Sequence, residues 1–211
     1  MSNFDEEYTT RKLGWAEGRE FIKANHYSGG CHNGPYMVGL ERDGELVGAC
    51  AFATPCSENV RKSVFGADKK DWVTELHRLV VLRPHPDNLT SWFVARAMRA
   101  LVADKPVIKA IISYADQTEG HVGTIYQALG FIYAGSTGRA RFYRDSAGVL
   151  RHPRQCGVNI SLEAAKERGW TSEMRDSKHR YVRLLPSSRR ERAQLPKMLL
   201  LEPLPYPTKE T

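Results

Sequence analysis

The chain has 211 residues, with 31 Lys and Arg against 24 Asp and Glu and a formal charge of +7. At 41% apolar and 26% charged its composition is ordinary for a globular protein, which excludes a disordered chain and leaves enough sequence to bury a core without disulfide staples. Charge is uneven: residues 1–138 hold 15 basic and 16 acidic side chains while residues 139–197 hold 15 and 6, which excludes a uniformly basic, histone-like chain.

In chain order, Trp15 to Asn25 has apolar residues spaced for one helical face. A glycine-rich loop, His26 to Pro35, follows. Tyr36–Glu41 and Leu46–Ala53 read as strands around Arg42-Asp43-Gly44-Glu45, and Asp-Gly between apolar runs is a strong hairpin signal. Thr54 to Asp71 reads as a polar excursion. Trp72 to Leu82 is a buried strand, the loop Arg83 to Asn88 leads into a helix over Leu89–Ala103, and Thr90 and Ser91 stand at that helix's start. Val107–Tyr114 is a strand, Ala115–Glu119 a loop, Val122–Leu129 a short helix stopped at Gly130, and Phe131–Ala134 a strand. From Gly135 the pattern loosens: a strand pair around Arg139–Tyr143 and Val149–Arg151, a helix over Leu162–Arg168, a basic tail, and an extended Pro-rich end. Strands alternating with helices predict an α/β (α+β) fold with a mixed central sheet flanked by helices. Composition divides the chain at Gly138 into a near-neutral body, 1–138, and a basic C-terminal extension, 139–211, expected to pack on it.

No secretory signal is visible, and no run approaches the ~18 apolar residues of a membrane span. Cys31, Cys50, Cys56 and Cys156 form no CxxC pair, as expected for reduced thiols in a cytoplasmic protein, and a structural zinc is not expected. The +9 stretch suits nucleic acid, an anionic membrane or a solvated face. Its cations alternate with turns and prolines and line no apolar helix, so no membrane partner is expected and nucleic acid leads.

Three groups of residues could carry chemistry. The turn from Arg83 to Ser91 joins a strand to a helix N-terminus, a natural anion site, although Pro84 and Pro86 remove two donors. Glu75, His77 and Arg78 interrupt an apolar strand; alternation puts Glu75 and His77 on one face and Arg78 on the other, and buried charges need partners or a function. Ser113 and Asp116 close the next strand, at the edge where open α/β sheets carry their sites. Tyr27, with His26, and Tyr126 could supply hydroxyl acids. Each of these also has a structural reading, as a capped helix, an ion pair or a core tyrosine.

The strand, turn, helix, strand, helix order ending in Tyr126-Gln-Ala-Leu-Gly-Phe131 resembles the acyl-CoA-dependent GNAT acetyltransferase superfamily, although the usual Arg/Gln-x-x-Gly-x-Gly/Ala loop is absent. More narrowly, His26-Tyr27-Ser28, Glu75-Leu-His-Arg78, Leu89-Thr-Ser91, Ser113-Tyr-Ala-Asp116 and Ile125-Tyr126 resemble the phage Mom family of GNAT-like DNA-modifying enzymes. That resemblance covers roughly residues 20–135 and implies conversion of adenine in phage DNA to its N6-carbamoylmethyl (methylcarbamoyl) form, which protects the DNA from host restriction. It implies acetyl-CoA as donor and an iron requirement. It places the family's functional residues on Tyr27, Arg78, Ser91, Asp116 and Tyr126, with Arg83 and Thr90 beside Ser91 at the cofactor phosphates. His26 and Asp116 are donor types that suit iron.

Adenine N6 is a poor nucleophile, and in a duplex the base must leave the stack to be modified, which costs a few kcal/mol. Tyr27, Trp92 or Trp170 could stack on it, and Lys178, Arg180, Arg183, Arg189 and Arg190 could offset the cost through phosphate contacts. The expected partner is therefore double-stranded DNA with a flipped adenine, in the host cytoplasm, with a homodimer left open. Two alternatives stand beside this reading: a GNAT enzyme acetylating a protein or small-molecule amine, and a non-catalytic GNAT-like module that binds nucleic acid.

Overall fold

The computed structural model describes residues 4–27, 30–31, 35–151 and 160–208; Ser28 and Cys156 lie outside them. The chain forms two compact units. The first comprises residues 1–113, 124–134 and 181–206, the second residues 114–123, 135–180 and 207–211. Among the described residues, no helix is long and apolar enough to cross a membrane.

The elements run α1 (Phe4–Glu7), β1 (Tyr8–Lys12), α2 (Trp15–Asn25), β2 (Tyr36–Arg42), β3 (Glu45–Ala53), α3 (Glu58–Phe65), β4 (Val73–Val81), α4 (Leu89–Asp104), β5 (Ala110–Asp116), α5 (Thr124–Ala128) and β6 (Ile132–Ser136). They continue with β7 (Ala140–Arg144), β8 (Leu150–Arg151), α6 (Leu162–Glu167), β9 (Thr171–Arg175), β10 (Lys178–Leu184) and α7 (Arg189–Met198). A seven-stranded mixed sheet has the order β1-β2-β3-β4-β5-β10-β6, antiparallel through β4 and parallel between β4 and β5.

The β2–β3 hairpin turns at Asp43 and Gly44, both at positive φ, as a tight two-residue hairpin needs. Alternation along β2 then loads both faces of the sheet. Met37 joins a core with Ile22 of α2 and Ala49 and Ala51 of β3. Tyr36, one residue earlier, points to the opposite face, where its hydroxyl donates to Asp104 at the end of α4 at 3.1 Å. Helix α2 sits close to the sheet because Gly18 has no side chain: a Cβ there would collide with Met37 Sδ. Helix α4 buries Leu89, Phe93, Val94, Ala97, Met98 and Leu101 along one stripe, each large apolar side chain contributing roughly 1.5–3 kcal/mol.

The sheet departs from the sequence reading in two places. Residues 54–71 are not merely a polar excursion, because α3 anchors there by burying Val64 and Phe65. The basic tail supplies β10, a strand inside the sheet between β5 and β6, with Tyr181 and Val182 fully buried. Residues after Gly138 thus belong to both units, so the composition boundary is one of charge, while the packing units divide at other positions.

In the second unit β8, β7 and β9 form a three-stranded antiparallel sheet, and α6 begins at Ser161, whose hydroxyl accepts from the Ala164 N–H. The β7–β8 turn is tied by Asp145, which accepts from the Ala147 and Val149 N–H groups and from Arg151.

Candidate active site

The first unit's site begins where two strands stop pairing. β4 and β5 share only three pairs, Val73–Ala110, Thr74–Ile111 and Glu75–Ile112. Beyond them β4 continues through Leu76, His77 and Arg78 without a β5 partner, and Ser113 Oγ donates to the Leu76 carbonyl at 3.0 Å. A parallel sheet that parts in this way leaves backbone groups of both strands without ladder partners, and the Ser113 side chain takes over one of them.

β4 is also irregular. Its partner register on β3 steps from Arg78 to Leu76, so His77 is an extra, bulged residue. The bulge overturns the strict alternation expected from the sequence: Glu75, His77 and Arg78 are brought together. His77 Nδ1 lies 3.4 Å from Glu75 Oε1 and 3.4 Å from Arg78 Nη1, which also donates to the His77 carbonyl at 2.7 Å. Arg78 Nε donates to the Gly30 carbonyl at 2.6 Å, fastening the loop after α2 to β4. Burial lowers the Arg78 pKa, opposed by the nearby Cys31, Tyr27, Glu75 and Cys56. The two thiols beside Arg78 carry no sequence signal that would have placed them there.

Tyr126 is set by the end of α5. Gly130 takes a left-handed φ of 66°, and Phe131 N–H returns to the Tyr126 carbonyl at 2.9 Å, which closes the helix and drives Phe131 into the core. This accounts for the Leu-Gly-Phe sequence after Tyr126. The Tyr126 ring lies 5.3 Å from Phe131 and 5.2 Å from Tyr181 between centroids, and its hydroxyl is hydrogen-bonded to Ser113. Burial is the main cause that pushes the hydroxyl pKa up to about 12, with Ser113 opposing. Tyr126 therefore stays protonated at neutral pH and can donate. Tyr27, exposed and stacked on His26 at 4.4 Å, lies within electrostatic reach of both Arg78 and Tyr126.

The start of α4 carries free donors. Asn88, at φ 65°, precedes the helix, and the first turn holds no acidic residue. Among the described residues, the Thr90 and Ser91 N–H groups have no partner. Ser91 Oγ donates to the Asn88 carbonyl at 2.9 Å and Thr90 Oγ1 lies 3.4 Å from His85 Nε2, so both hydroxyls fix the turn and leave the backbone donors open. Arg83 is exposed just upstream. Unpaired donors, a positive helix end and a free cation suit an anion such as a cofactor phosphate.

Asp116 belongs to the second unit. It is buried, with Lys178 Nζ at 3.0 Å and Arg175 at 3.9 Å, and it accepts from the Thr118 N–H at 3.1 Å. Burial would raise its pKa, but these three partners outweigh that and hold the carboxyl below its usual range. His26 and Asp116, the expected iron donors, fall in different units, and among the described residues no three His, Cys, Asp or Glu side chains converge on a metal-sized site. The described residues give no support for the expected iron. Trp92 packs on Phe4 and Arg96, and Arg168 covers Trp170.

The expected DNA contacts also differ in their engagement. Lys178 is paired with Asp116, and Arg180 is half-buried and engaged. Arg183 donates to the Gly130 carbonyl at 2.8 Å, while Arg189 and Arg190 stand exposed at the start of α7.

A mixed sheet that parts between β4 and β5, beside a helix with open N-terminal donors, is the fold of the GNAT acetyltransferases. Solved structures share this fold: yncA of Salmonella typhimurium, solved with its cofactor acetyl-CoA, aligns at TM-score 0.50 and 12% identity, over 87% of this chain and 96% of that one. The GNAT-family acetyltransferase of Streptococcus pneumoniae aligns at TM-score 0.50 and 12% identity, over 85% and 100%. The chain belongs to the Mom protein family, whose model matches residues 7–208. It is 26% identical over 196 residues to the methylcarbamoylase mom of Escherichia phage Mu, covering 89% of this chain and 79% of that protein.

Proposed function

We propose that this Mom-family chain is a phage DNA modification enzyme that converts adenine in DNA to N6-carbamoylmethyl adenine and so shields phage DNA from restriction, with acetyl-CoA as the source of the two-carbon unit, an ammonia-level nitrogen and a two-electron oxidant as co-reactants, and CoA leaving as its thiol. The observation that carries the reading is the cluster of Arg78, Tyr126, Ser113 and the Glu75–His77 pair at the β4–β5 parting, in a chain related to a phage methylcarbamoylase.

The residues have separable tasks. The Thr90 and Ser91 N–H groups, with Arg83, would hold the phosphates of the donor, which when bound would supply the two-carbon unit with its thioester carbonyl activated toward amide formation. Tyr126, whose hydroxyl pKa burial pushes up to about 12, is placed to donate a hydrogen bond or proton to the departing CoA thiolate or the developing oxyanion. The adenine amino lone pair is delocalised into the ring, so forming the bond from N6 to the carbon derived from the acetyl methyl group requires loss of an N6 proton. The Glu75–His77 pair is the carboxylate–imidazole arrangement able to accept it. Arg78, fixed at two carbonyls, holds a positive charge where negative charge develops. Tyr27, exposed beside this cluster, offers a ring face to an extruded base.

Expression of the protein with a reporter plasmid, followed by nucleoside mass spectrometry, tests the reading. A deoxyadenosine carrying the carbamoylmethyl mass, with plasmid resistant to adenine-containing restriction sites, is the expected result. Unmodified deoxyadenosine from cells holding folded protein would overturn it.

A further inference from the structure

A second concave site lies away from the β4–β5 parting, where the C-terminal half of α4 meets the end of β10 and α7. This cleft has a volume of about 680 Å³. Its floor is apolar, including Met98, Val102 and Leu195, and three guanidinium groups line it: Arg99, Arg183 and Arg192. Among the described residues, no acidic side chain lines it. Arg99 Nε reaches only its own helix's Ala95 carbonyl and Arg183 reaches the Gly130 carbonyl, and among the described residues none of the three arginines pairs with a carboxylate.

The nearest candidate to neutralise them is already occupied. Glu191, the one acidic residue of α7, is bonded to Lys109 at 2.7 Å and to the Ser187 N–H and hydroxyl at 2.7 Å. Three like charges converging without a counter-ion repel one another, and the apolar floor beneath them is left uncovered. Both defects are relieved by one kind of ligand: an anion with an apolar body. The positive groups continue beyond the cleft, since Arg189 precedes Arg192 by three residues, about one helical turn on the same face, and Arg190 adjoins it. Such a run is longer than a single phosphate requires and matches successive phosphates of a strand.

We infer that this cleft grips the backbone of the substrate DNA, Arg99, Arg183 and Arg192 taking phosphates while deoxyribose or base rests on the apolar floor, with Arg189 and Arg190 extending the track. The inference rests on the DNA-modifying reading and adds where the duplex is held. Of the five basic residues expected from the sequence to contact DNA, it retains three, and it adds Arg99 and Arg192.

The test is fluorescence anisotropy of a labelled duplex with the full chain across a salt series, comparing wild type, Arg192→Gln, the Arg99→Gln/Arg192→Gln double variant and the Arg99→Lys/Arg192→Lys double variant. Both positions are exposed, so folding should persist, and circular dichroism checks it. The Gln double variant should bind at least tenfold more weakly at about 0.1 M salt and lose about 2 from the slope of log affinity against log salt, since each phosphate contact contributes roughly 0.9. Arg192→Gln alone should lose about 1, and the Lys double variant should keep the slope. Acetyl-CoA affinity should not change. Duplex binding by wild type with unchanged affinity and slope in folded Gln variants overturns the cleft while leaving the DNA reading in place; no duplex binding by wild type overturns both.

Discussion

The basic stretch behaves as two different regions. Over residues 139–180, Arg139, Arg144, Arg151, Arg175 and Lys178 are all spent on carboxylates: Asp176, Glu173, Asp145, Glu119 and Asp116. Over residues 181–197 the chain buries Tyr181, Val182, Leu185 and Leu195, yet among the described residues Arg183, Arg189, Arg190 and Arg192 have no carboxylate partner. The first part commits five cations to carboxylates, though among the described residues Arg141, Lys166 and Arg168 make no such pair; the second holds its place with apolar side chains and pairs none of these four arginines with a carboxylate. Net charge alone therefore does not locate a binding surface. Pairing does.

The division breaks most visibly at Tyr181. It is fully buried among Tyr126, Tyr133 and Tyr206, so Tyr181→Ala should cost about 3–5 kcal/mol in urea unfolding. A cost below about 1 kcal/mol would mean that the end of the basic stretch is surface, not core. Asp116→Asn sharpens the other side by removing the charge that Lys178 and Arg175 share. With Lys178 partly exposed, the loss at pH 7 should be about 2 kcal/mol. Because the folded carboxyl is held below its ordinary range, the stability it adds is present above pH ~4 and fades as pH falls through the folded value. The gap between wild type and Asp116→Asn should therefore be full at pH 7 and close at strongly acid pH; a gap independent of pH would show that the ion pairs are not its source. The smallest effect belongs to Arg139→Ala. Its pair with Asp176 is more than half exposed on both sides, and thermal melting should register no more than about 0.5 kcal/mol.

Legibility in the sequence followed how local each signal is. Helices α2 and α4, the β2–β3 hairpin and β4 announce themselves by apolar spacing and an Asp-Gly turn, and the structure has them at nearly those bounds. Helix α3 does not, because only a few apolar side chains anchor an otherwise polar segment. β10 was hidden for another reason: Lys178, His179, Arg180 and Arg183 disguise a strand whose place is fixed by β5 and β6, far away in sequence. At the candidate site, Arg78, Tyr27 and Tyr126 were visible as polar residues at unusual places, and the structure gathers them within one electrostatic cluster. Asp116 was equally visible but belongs to a different ion network. The bulge at His77 could not be read, since alternation is all that a strand pattern supplies. Nor could the cleft, whose arginines come from positions 99, 183 and 192.

The central claim is that the cluster at the β4–β5 parting performs chemistry on adenine through a protonated Tyr126. Tyr126→Phe removes one hydroxyl and keeps the ring between Phe131 and Tyr181. The decisive measurement is the modified fraction of deoxyadenosine, by nucleoside mass spectrometry, in plasmid from cells expressing wild type or Tyr126→Phe at equal levels of folded protein. The account predicts modification with wild type and a loss of about a hundredfold or more with the variant, in the range of a general acid's contribution. Equal modification by the two proteins would contradict it.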